Sequence, residues 1–221
     1  MNAYTAPLFE TATDPQSHEQ RLGEGAVLLR GFALAYEQAI LRALEGVVRA
    51  VPWRHMITPG GLRMSVAMSN CGALGWISDR RGYRYAPDDP ESGKPWPKLP
   101  RAFAQLAQQA ATQAGFRNFA PDACLINRYE PGAKLSLHQD RDERDFDQPI
   151  VSVSLGLPAT FLFGGPKRGD PTAKYPLQHG DIAVWGGPSR LFFHGVATLK
   201  DGTHPQLGRK RINLTFRRAL G

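Results

Sequence analysis

The sequence has few cysteines and no long apolar run, and both absences exclude classes of protein. Only two of its 221 residues are cysteine, Cys71 and Cys124, which lie far apart without the Cys-x-x-Cys spacing of a zinc ribbon. A disulfide scaffold is therefore excluded, and isolated thiols suit a reducing compartment. Residues 1–20 lack the apolar run of a signal peptide, and no later segment predicts a membrane span. We therefore expect a cytoplasmic protein with no membrane partner.

Acidic residues are also scarce relative to basic ones. There are 20 Asp and Glu against 27 Lys and Arg, which gives a formal net charge of +7. A basic balance is typical of proteins that bind a polyanion, and nucleic acid is the commonest candidate. A solvated basic surface explains the charge equally well, so charge alone leaves both interpretations open.

Hydrophobic periodicity predicts two helices beside a β-rich core. Apolar stripes of helical period cover residues 36–50 and 101–114, and an apolar run between glycines at 25–31 predicts a buried strand. After Gly115 the period becomes two, and strands are predicted at 123–129, 134–138, 150–155, 160–163, 181–185, 191–194 and 211–217. Many short strands favour a jelly roll or barrel, so the predicted fold class is mainly β with flanking helices.

The segment between the two predicted helices differs in composition from the rest of the chain. From about 53 to 100, glycine, proline, arginine and aromatic residues alternate without a sustained period. Within it, residues 76–85 contain three aromatic rings and three arginines. Such a stretch is often a surface loop. It also suits single-stranded nucleic acid, whose bases stack on rings while its phosphates meet cations.

The run from Leu135 to Asp140 carries the strongest chemical signal. On a strand, Ser136, His138 and Asp140 point to one side, because side chains two apart share a face. An imidazole and a carboxylate so placed can bind one metal ion, and His194, at the end of an apolar run, is the candidate third ligand. Two histidines and one carboxylate leave coordination positions open, as in non-haem Fe(II) oxygenases. The triplet alone is a weak motif, and its context strengthens it.

The last predicted strand alternates strictly between apolar and polar residues. One face carries Ile212, Leu214 and Phe216, and the other carries Arg211, Asn213, Thr215 and Arg217. The polar face is either the solvent side of a sandwich or the inside of a barrel. Inside a barrel, the guanidinium groups would bind the carboxylates of a small dianion, with Asn127 and Tyr129 adding hydrogen bonds from the facing wall.

These motifs together resemble a known family. The ordered set is Asn127-x-Tyr129-x-x-Gly132, His138-x-Asp140, His194 and Arg211-x-Asn213-x-Thr215-Phe216-Arg217. It resembles the AlkB family of Fe(II)- and 2-oxoglutarate-dependent dioxygenases, over nearly the whole chain after about residue 22. The resemblance implies a single catalytic domain over residues 1–221. Within it we expect a loose arm at about 1–20, a nucleotide-recognition lid at about 53–100, and a double-stranded β-helix (jelly-roll) core at about 115–221.

The resemblance also implies roles for individual residues. Iron would be held by the catalytic set His138, Asp140 and His194. The co-substrate 2-oxoglutarate would contact Asn127, Tyr129, Arg211, Asn213, Thr215, Phe216 and Arg217. The substrate would contact Met68, Trp76, Tyr83, Arg84, Tyr85, Asp142 and Arg168. A carboxylate at Asp142 would favour a cationic methylated base over a neutral one, although Asp142 and Arg168 also fit as ordinary exposed charges.

The implied reaction is oxidative demethylation of N-alkylated bases such as 1-methyladenine and 3-methylcytosine. It would use Fe(II), 2-oxoglutarate and O2, and it would release formaldehyde, succinate and CO2. Because a paired base is out of reach, the partner would be single-stranded or flipped-out DNA or RNA, bound by a monomer. Two alternatives stay open: the same dioxygenase core acting on a protein or small molecule, and a single-strand-binding module without catalysis.

Overall fold

The structure, a computed structural model, describes residues 18–220. This part of the chain contains two helices, α1 (Glu37–Ala50) and α2 (Arg101–Gln113). Its strands are β1 (Glu19–Gly23), β2 (Ala26–Leu29), β3 (Ala67–Gly72), β4 (Gly75–Asp79), β5 (Gly82–Ala86), β6 (Ala123–Tyr129), β7 (Leu135–His138), β8 (Ile150–Gly156), β9 (Ala159–Phe163), β10 (Ala173–Leu177), β11 (Ile182–Trp185), β12 (His194–Val196) and β13 (Arg211–Arg217).

The strands form two antiparallel sheets and one separate hairpin. The large sheet has the order β1-β2-β11-β8-β13-β6-β3, the small sheet has the order β10-β9-β12-β7, and β4 pairs with β5 alone. Apolar side chains on one face of the large sheet pack with α1 and α2 in a single core that includes Ile40, Phe103 and Leu214. A second core, including Phe161 and Trp185, lies between the large and small sheets. The large sheet is therefore covered on both faces, which explains why β13 is buried along its whole length.

The two helices confirm the periodicity prediction to within one residue at each end. In α1 the stripe Ile40, Leu44 and Val47 is buried against the sheet. The helix α2 follows Pro100 and ends before Gly115. Gly115 has a φ of +88°, a conformation that costs glycine little because it has no Cβ.

The strand predictions are correct for most of the core and wrong in three respects. Leu191 ends a turn and residues 192–193 are irregular, so β12 begins only at His194; the Phe193 amide donates to the Gly165 carbonyl, beyond the end of β9. The predicted loose arm extends to residue 20, whereas Glu19 and Gln20 pair with β2; residues 1–17 lie outside the described part. Sequence analysis also missed five strands: β1, β3, β4, β5 and β10. The small and polar residues of β3 show no alternation because both of its faces are buried.

The segment at 53–100 contributes β3 to the edge of the large sheet and then forms the β4–β5 hairpin beside it. The buried amide of Asn70 joins the two, since it donates to the Trp76 carbonyl at 3.0 Å and accepts from the Trp76 amide at 3.1 Å. A side chain at Gly75 would overlap the Trp96 ring packed beneath the hairpin. The β4 end of the hairpin is therefore anchored to the core at Trp76 and Gly75. Within residues 18–220, no helix has the length and apolarity to cross a membrane.

Candidate active site

Three side chains converge between β7 and β12. His138 ends β7 and His194 begins β12, and the two residues face each other in the antiparallel register. Asp140 lies two residues beyond the end of β7. Its Oδ1 is 3.6 Å from His138 Nε2, and its Oδ2 is 3.7 Å from His194 Nε2. The three ligand atoms lie within 4.8 Å of one another, a spacing that one metal ion can bridge.

Backbone carbonyls set the orientation of both imidazoles. Nδ1 of His138 is 2.9 Å from the Ser136 carbonyl, and Nδ1 of His194 is 3.0 Å from the Phe192 carbonyl. A carbonyl can only accept, so each Nδ1 carries the proton and each Nε2 presents a lone pair to the centre. This is the tautomer that a metal requires from both rings.

The charge states also suit a divalent cation. Burial, reinforced by the neighbouring His138, lowers the pKa of His194 to about 3, so its ring is neutral. Burial opposes ionisation of Asp140, but the Arg217 guanidinium outweighs it and holds the pKa of this carboxyl below its ordinary value. With His138, these two side chains make the donor set of a 2-His-1-carboxylate Fe(II) site.

The polar face of β13 points into the fold and away from solvent. Arg211, Asn213, Thr215 and Arg217 are all at most 5% exposed. The barrel interpretation is thus correct for this face. One detail of the prediction is wrong: Asn127 and Tyr129 belong to β6, which pairs directly with β13, so they lie beside the arginine strand and not on a facing wall.

Several buried polar atoms of this face have no partner among residues 18–220. Arg211 donates from Nη2 to Ser154 Oγ at 2.9 Å, and its guanidinium lies over the Tyr129 ring at 4.9 Å. Its Nε and Nη1 make no hydrogen bond, and neither do the Tyr129 hydroxyl and the Asn127 Oδ1. A buried guanidinium without a carboxylate is costly, and burial lowers the pKa of Arg211. The unpaired N–H groups of Arg211 and the Tyr129 hydroxyl therefore fit an anionic ligand such as the carboxylate of 2-oxoglutarate.

At the other end of β13, Arg217 pairs with two carboxylates. Its Nε and Nη2 donate to Asp140 Oδ2 at 3.0 and 2.7 Å, and its Nε lies 3.2 Å from Glu143 Oε1. Burial alone would lower the pKa of Arg217, but the carboxylates of Asp140 and Glu143 raise it above the ordinary value. This arginine therefore stays charged and fixes the metal-binding carboxylate.

The comparisons with known proteins agree with this geometry. Residues 25–217 match the family model described as the 2OG-Fe(II) oxygenase superfamily. The chain belongs to this superfamily. It is 55% identical over 212 residues to the alpha-ketoglutarate-dependent dioxygenase AlkB of Escherichia coli (strain K12), covering 96% of this chain and 98% of that one.

Two further relatives extend the likeness. The chain is 33% identical over 170 residues to the DNA N(6)-methyladenine demethylase ALKBH1C of Arabidopsis thaliana, covering 65% of this chain and 37% of that protein. The solved structure of OsALKBH1 superposes with a TM-score of 0.78 at 31% identity, covering 90% of this chain and 99% of that one. This protein is thus an AlkB-type dioxygenase with the double-stranded β-helix core of its superfamily. It depends on Fe(II) and 2-oxoglutarate, and its iron triad is His138, Asp140 and His194.

Phe216 does not share the co-substrate pocket expected for it. It lies on the opposite face of β13 and packs edge-on against Phe103 of α2, with the ring centroids 5.9 Å apart. The period of two along a strand forces this, since Thr215 and Arg217 on either side point into the barrel. Thr215 donates to Asn213 Oδ1 at 2.9 Å, so it orients the Asn213 amide on the same inner face.

The β4–β5 hairpin brings two aromatic rings together. Trp76 of β4 and Tyr83 of β5 stack with centroids 5.6 Å apart and planes inclined by 13°. Trp76 Nε1 donates to Asp142 Oδ2 at 2.8 Å. The Trp76 ring and the Asp142 carboxylate are therefore in contact, and Asp142 lies two residues beyond the iron ligand Asp140.

The other residues predicted to contact substrate lie in different settings. Arg84 donates through both terminal nitrogens to Asp79 on the same hairpin. Arg168 donates to the Leu137 carbonyl at 2.9 Å, beside the iron-binding strand. Met68 is 2% exposed and belongs to a buried apolar cluster against which Trp76 packs.

Tyr85 differs from the expectation that it contacts the nucleotide and its phosphates. Its hydroxyl turns inward and donates to Glu143 Oε1 at 2.7 Å. Burial raises the pKa of Tyr85 well above its ordinary value, so the hydroxyl stays protonated and acts as a donor.

Sequence analysis missed three residues of the site. Glu143 lies in the charged run at 141–145, Arg190 follows a short turn after β11, and Ser154 is an inner residue of β8. All three are buried, yet each has a residue type that is common on surfaces. The only signal for Ser154 was its alternation with Val153 and Leu155, and nothing local distinguished Glu143 or Arg190 from solvated charges.

Proposed function

We propose that this protein removes N-alkyl groups from nucleobases by oxidative demethylation, in the manner of AlkB. Its substrates are lesions such as 1-methyladenine and 3-methylcytosine in single-stranded or flipped-out DNA or RNA. The reaction consumes 2-oxoglutarate and O2 and releases formaldehyde, succinate and CO2. The observation that carries the proposal is the indole N–H of Trp76 donating to the carboxylate of Asp142, two residues beyond the iron ligand Asp140.

The residues of β13 and β6 bind and orient the co-substrate. Arg211 offers unpaired donors to one carboxylate of 2-oxoglutarate, and Arg217 faces the end nearer to Asp140. The unpaired Tyr129 hydroxyl adds a hydrogen bond from the same buried face, which Asn127 and Asn213 line. When bound, Fe(II) would activate O2, the oxidant, with 2-oxoglutarate as the co-substrate oxidised to succinate and CO2 while the N-alkyl group is hydroxylated; the protein contributes orientation and exclusion of water.

The hairpin and the loop after Asp140 select the base. The flat ring of Trp76 stacks on the damaged base, as aromatic side chains do on unpaired bases generally. A base methylated on a ring nitrogen carries a positive charge, which the Asp142 carboxylate attracts and a neutral base lacks. Tyr83, 48% exposed, together with Arg84 and Arg168 provides an aromatic and basic surface for the flanking strand.

The protein acts as a monomer in the cytoplasm. Support for the compartment comes from Cys71 and Cys124, which remain free thiols although they face each other across β3 and β6. A reducing environment preserves such a pair.

The test is an incubation with Fe(II), 2-oxoglutarate, O2 and a single-stranded oligonucleotide that contains 1-methyladenine. We expect formaldehyde and restored adenine in equal amounts, and neither product from Asp140→Ala that has been shown to bind the same oligonucleotide. If the methylated oligonucleotide is inert while a protein or small molecule stimulates succinate formation, the substrate assignment is wrong. If Asp140→Ala keeps every measurable function, the protein is a binding module.

A further inference from the structure

A buried ionic network connects the hairpin to the metal-binding loop. Its centre is Glu143, whose side chain is 2% exposed. One carboxylate oxygen, Oε1, accepts from the Tyr85 hydroxyl at 2.7 Å and lies 3.2 Å from Arg217 Nε. The other, Oε2, accepts from Arg190 Nη2 at 3.1 Å. The two acidic side chains, Asp140 and Glu143, thus balance two arginines in one buried cluster.

Arg190 closes the network on the side of the iron triad. It is 3% exposed, and its Nη1 donates to the backbone carbonyl of Asp140 at 2.8 Å. Its Nε donates to the Gln148 carbonyl at 2.9 Å. One guanidinium therefore ties together the two ends of the loop from Asp140 to Gln148 and the Glu143 carboxylate within it. Neither Arg190 nor Glu143 contacts the metal-facing atoms of the triad.

Tyr85 is the member of the network that comes from the hairpin. It belongs to β5, opposite Trp76 of β4 in the antiparallel register. The stacked Trp76 and Tyr83 rings of the same hairpin face the proposed nucleic acid. A hairpin that shifts on this ligand moves the Tyr85 hydroxyl relative to Glu143, and Glu143 in turn shares Arg217 with Asp140.

We propose that Tyr85, Glu143 and Arg190 are positioning residues that couple the seating of the hairpin to Arg217, so that nucleic acid and 2-oxoglutarate bind cooperatively. This inference rests on the proposed function, because it takes the hairpin as the nucleic-acid contact. Its physical basis is a contiguous path: the hydrogen bond from Tyr85 to Glu143, followed by the ion pair of Glu143 with Arg217. A docked hairpin fixes Glu143 and hence the arginine that orients the co-substrate, and linkage requires the effect to be mutual.

A purely structural role would give a different result. Loss of a structural contact lowers overall stability and weakens the binding of each ligand independently. Loss of coupling leaves the affinity for each ligand alone unchanged and removes only the effect of one ligand on the affinity for the other. The ratio of 2-oxoglutarate affinities with and without oligonucleotide therefore separates the two roles.

The experiment measures 2-oxoglutarate affinity of the Fe(II)-loaded protein under anaerobic conditions, with and without a saturating 1-methyladenine oligonucleotide. In the unaltered protein we expect the oligonucleotide to tighten 2-oxoglutarate binding by about fivefold or more, the usual range of coupling between sites. In Tyr85→Phe, which removes only the hydroxyl, we expect this factor to fall below about twofold, and Glu143→Gln should behave alike. Tyr36→Phe is the matched control, because the Tyr36 hydroxyl donates a hydrogen bond to Gln109 of α2 and has no contact with the network.

The outcomes separate the coupling from the function. The inference is overturned if Tyr85→Phe keeps the full factor, if Tyr36→Phe loses it equally, or if the unaltered protein shows no coupling while it still demethylates the oligonucleotide. Absence of demethylation by the unaltered protein would instead reject the proposed function. Measuring oligonucleotide affinity with and without 2-oxoglutarate must return the same factor, which provides an internal check.

Discussion

Arg211 and Arg217 occupy the two ends of β13, lie on the same inner face and are both buried, yet their surroundings are opposite. Arg217 meets two carboxylates, and its pKa is raised by them. Arg211 meets one serine hydroxyl and an aromatic ring, and its pKa is lowered by burial. Among residues 18–220, Arg217 has two partners of opposite charge and Arg211 has none.

This difference assigns the two arginines different tasks. A buried cation paired with carboxylates is part of the fold, and removal of either partner leaves an uncompensated charge. A buried cation without a counter-charge is unfavourable until a ligand supplies one, so Arg211 favours a state with bound anion over a state without it. Arg217 is thus expected to govern stability, metal geometry and the orientation of the co-substrate end nearer to Asp140, and Arg211 is expected to govern the affinity for the co-substrate.

The largest predicted effect is the destabilisation of Arg217→Met. The change leaves Asp140 buried without its two hydrogen bonds from Arg217, which we expect to cost about 3–5 kcal/mol in the free energy of unfolding. Urea denaturation of the metal-free protein measures this. A loss no greater than that of Arg211→Met would remove the proposed distinction between the two ends of the strand.

The second prediction concerns Arg211→Met in the same assay. Since this change removes a buried charge with unpaired nitrogens, we expect the ligand-free variant to be as stable as the unaltered protein or more so. A concentration of 2-oxoglutarate one hundred times its Kd should stabilise the unaltered Fe(II) protein by about 2.7 kcal/mol. The same concentration should leave the variant unchanged, and a stabilised variant would show that Arg211 is not the anion-binding group.

The contrast between the two arginines also shows what the sequence can predict. The alternation of β13 predicts which residues share a face, and this prediction correctly groups Arg211 with Arg217. It does not predict whether that face meets water or a second sheet, because the covering strands β7, β9 and β12 come from elsewhere in the chain. The iron triad was predictable because His138 and Asp140 lie two apart on one strand face, so only one further ligand, His194, had to come from elsewhere in the chain.

The partners that distinguish the two arginines were not predictable. The hydrogen bond between Arg190 and Glu143 joins residues 47 apart, and the Tyr85–Glu143 bond joins residues 58 apart. Each of these side chains looks like an ordinary surface residue until the fold buries it. The misplaced roles of Tyr85 and Phe216 share one cause: a motif identifies positions, whereas the direction of each side chain depends on its strand.

A third prediction concerns a salt bridge away from β13, between Arg54 and Asp89. Asp89 is 3% exposed, and its hydrogen bonds with Arg54 lower its pKa from 3.8 to about 2. Because the folded pKa is the lower one, its contribution, roughly 2 kcal/mol, is present above pH 3.8 and is lost as pH falls towards 2. The difference in unfolding free energy between the unaltered protein and Asp89→Asn should therefore be largest near neutral pH and shrink below pH 3.8. A difference that is constant with pH would contradict this.

The smallest predicted effect sharpens the description of Arg211. Ser154 supplies its one hydrogen bond, from Nη2 at 2.9 Å, so Ser154→Ala leaves the guanidinium free to rotate without removing its charge. We expect 2-oxoglutarate affinity to fall by about fivefold, as for a hydrogen bond worth about 1 kcal/mol. Stability without ligand should change little, and Ser152→Ala, which removes a hydroxyl bonded to Asn213 at 2.8 Å, is the matched comparison. If both variants lose the same affinity, the cavity depends on its hydroxyl groups in general and Ser154 has no particular role in orienting Arg211.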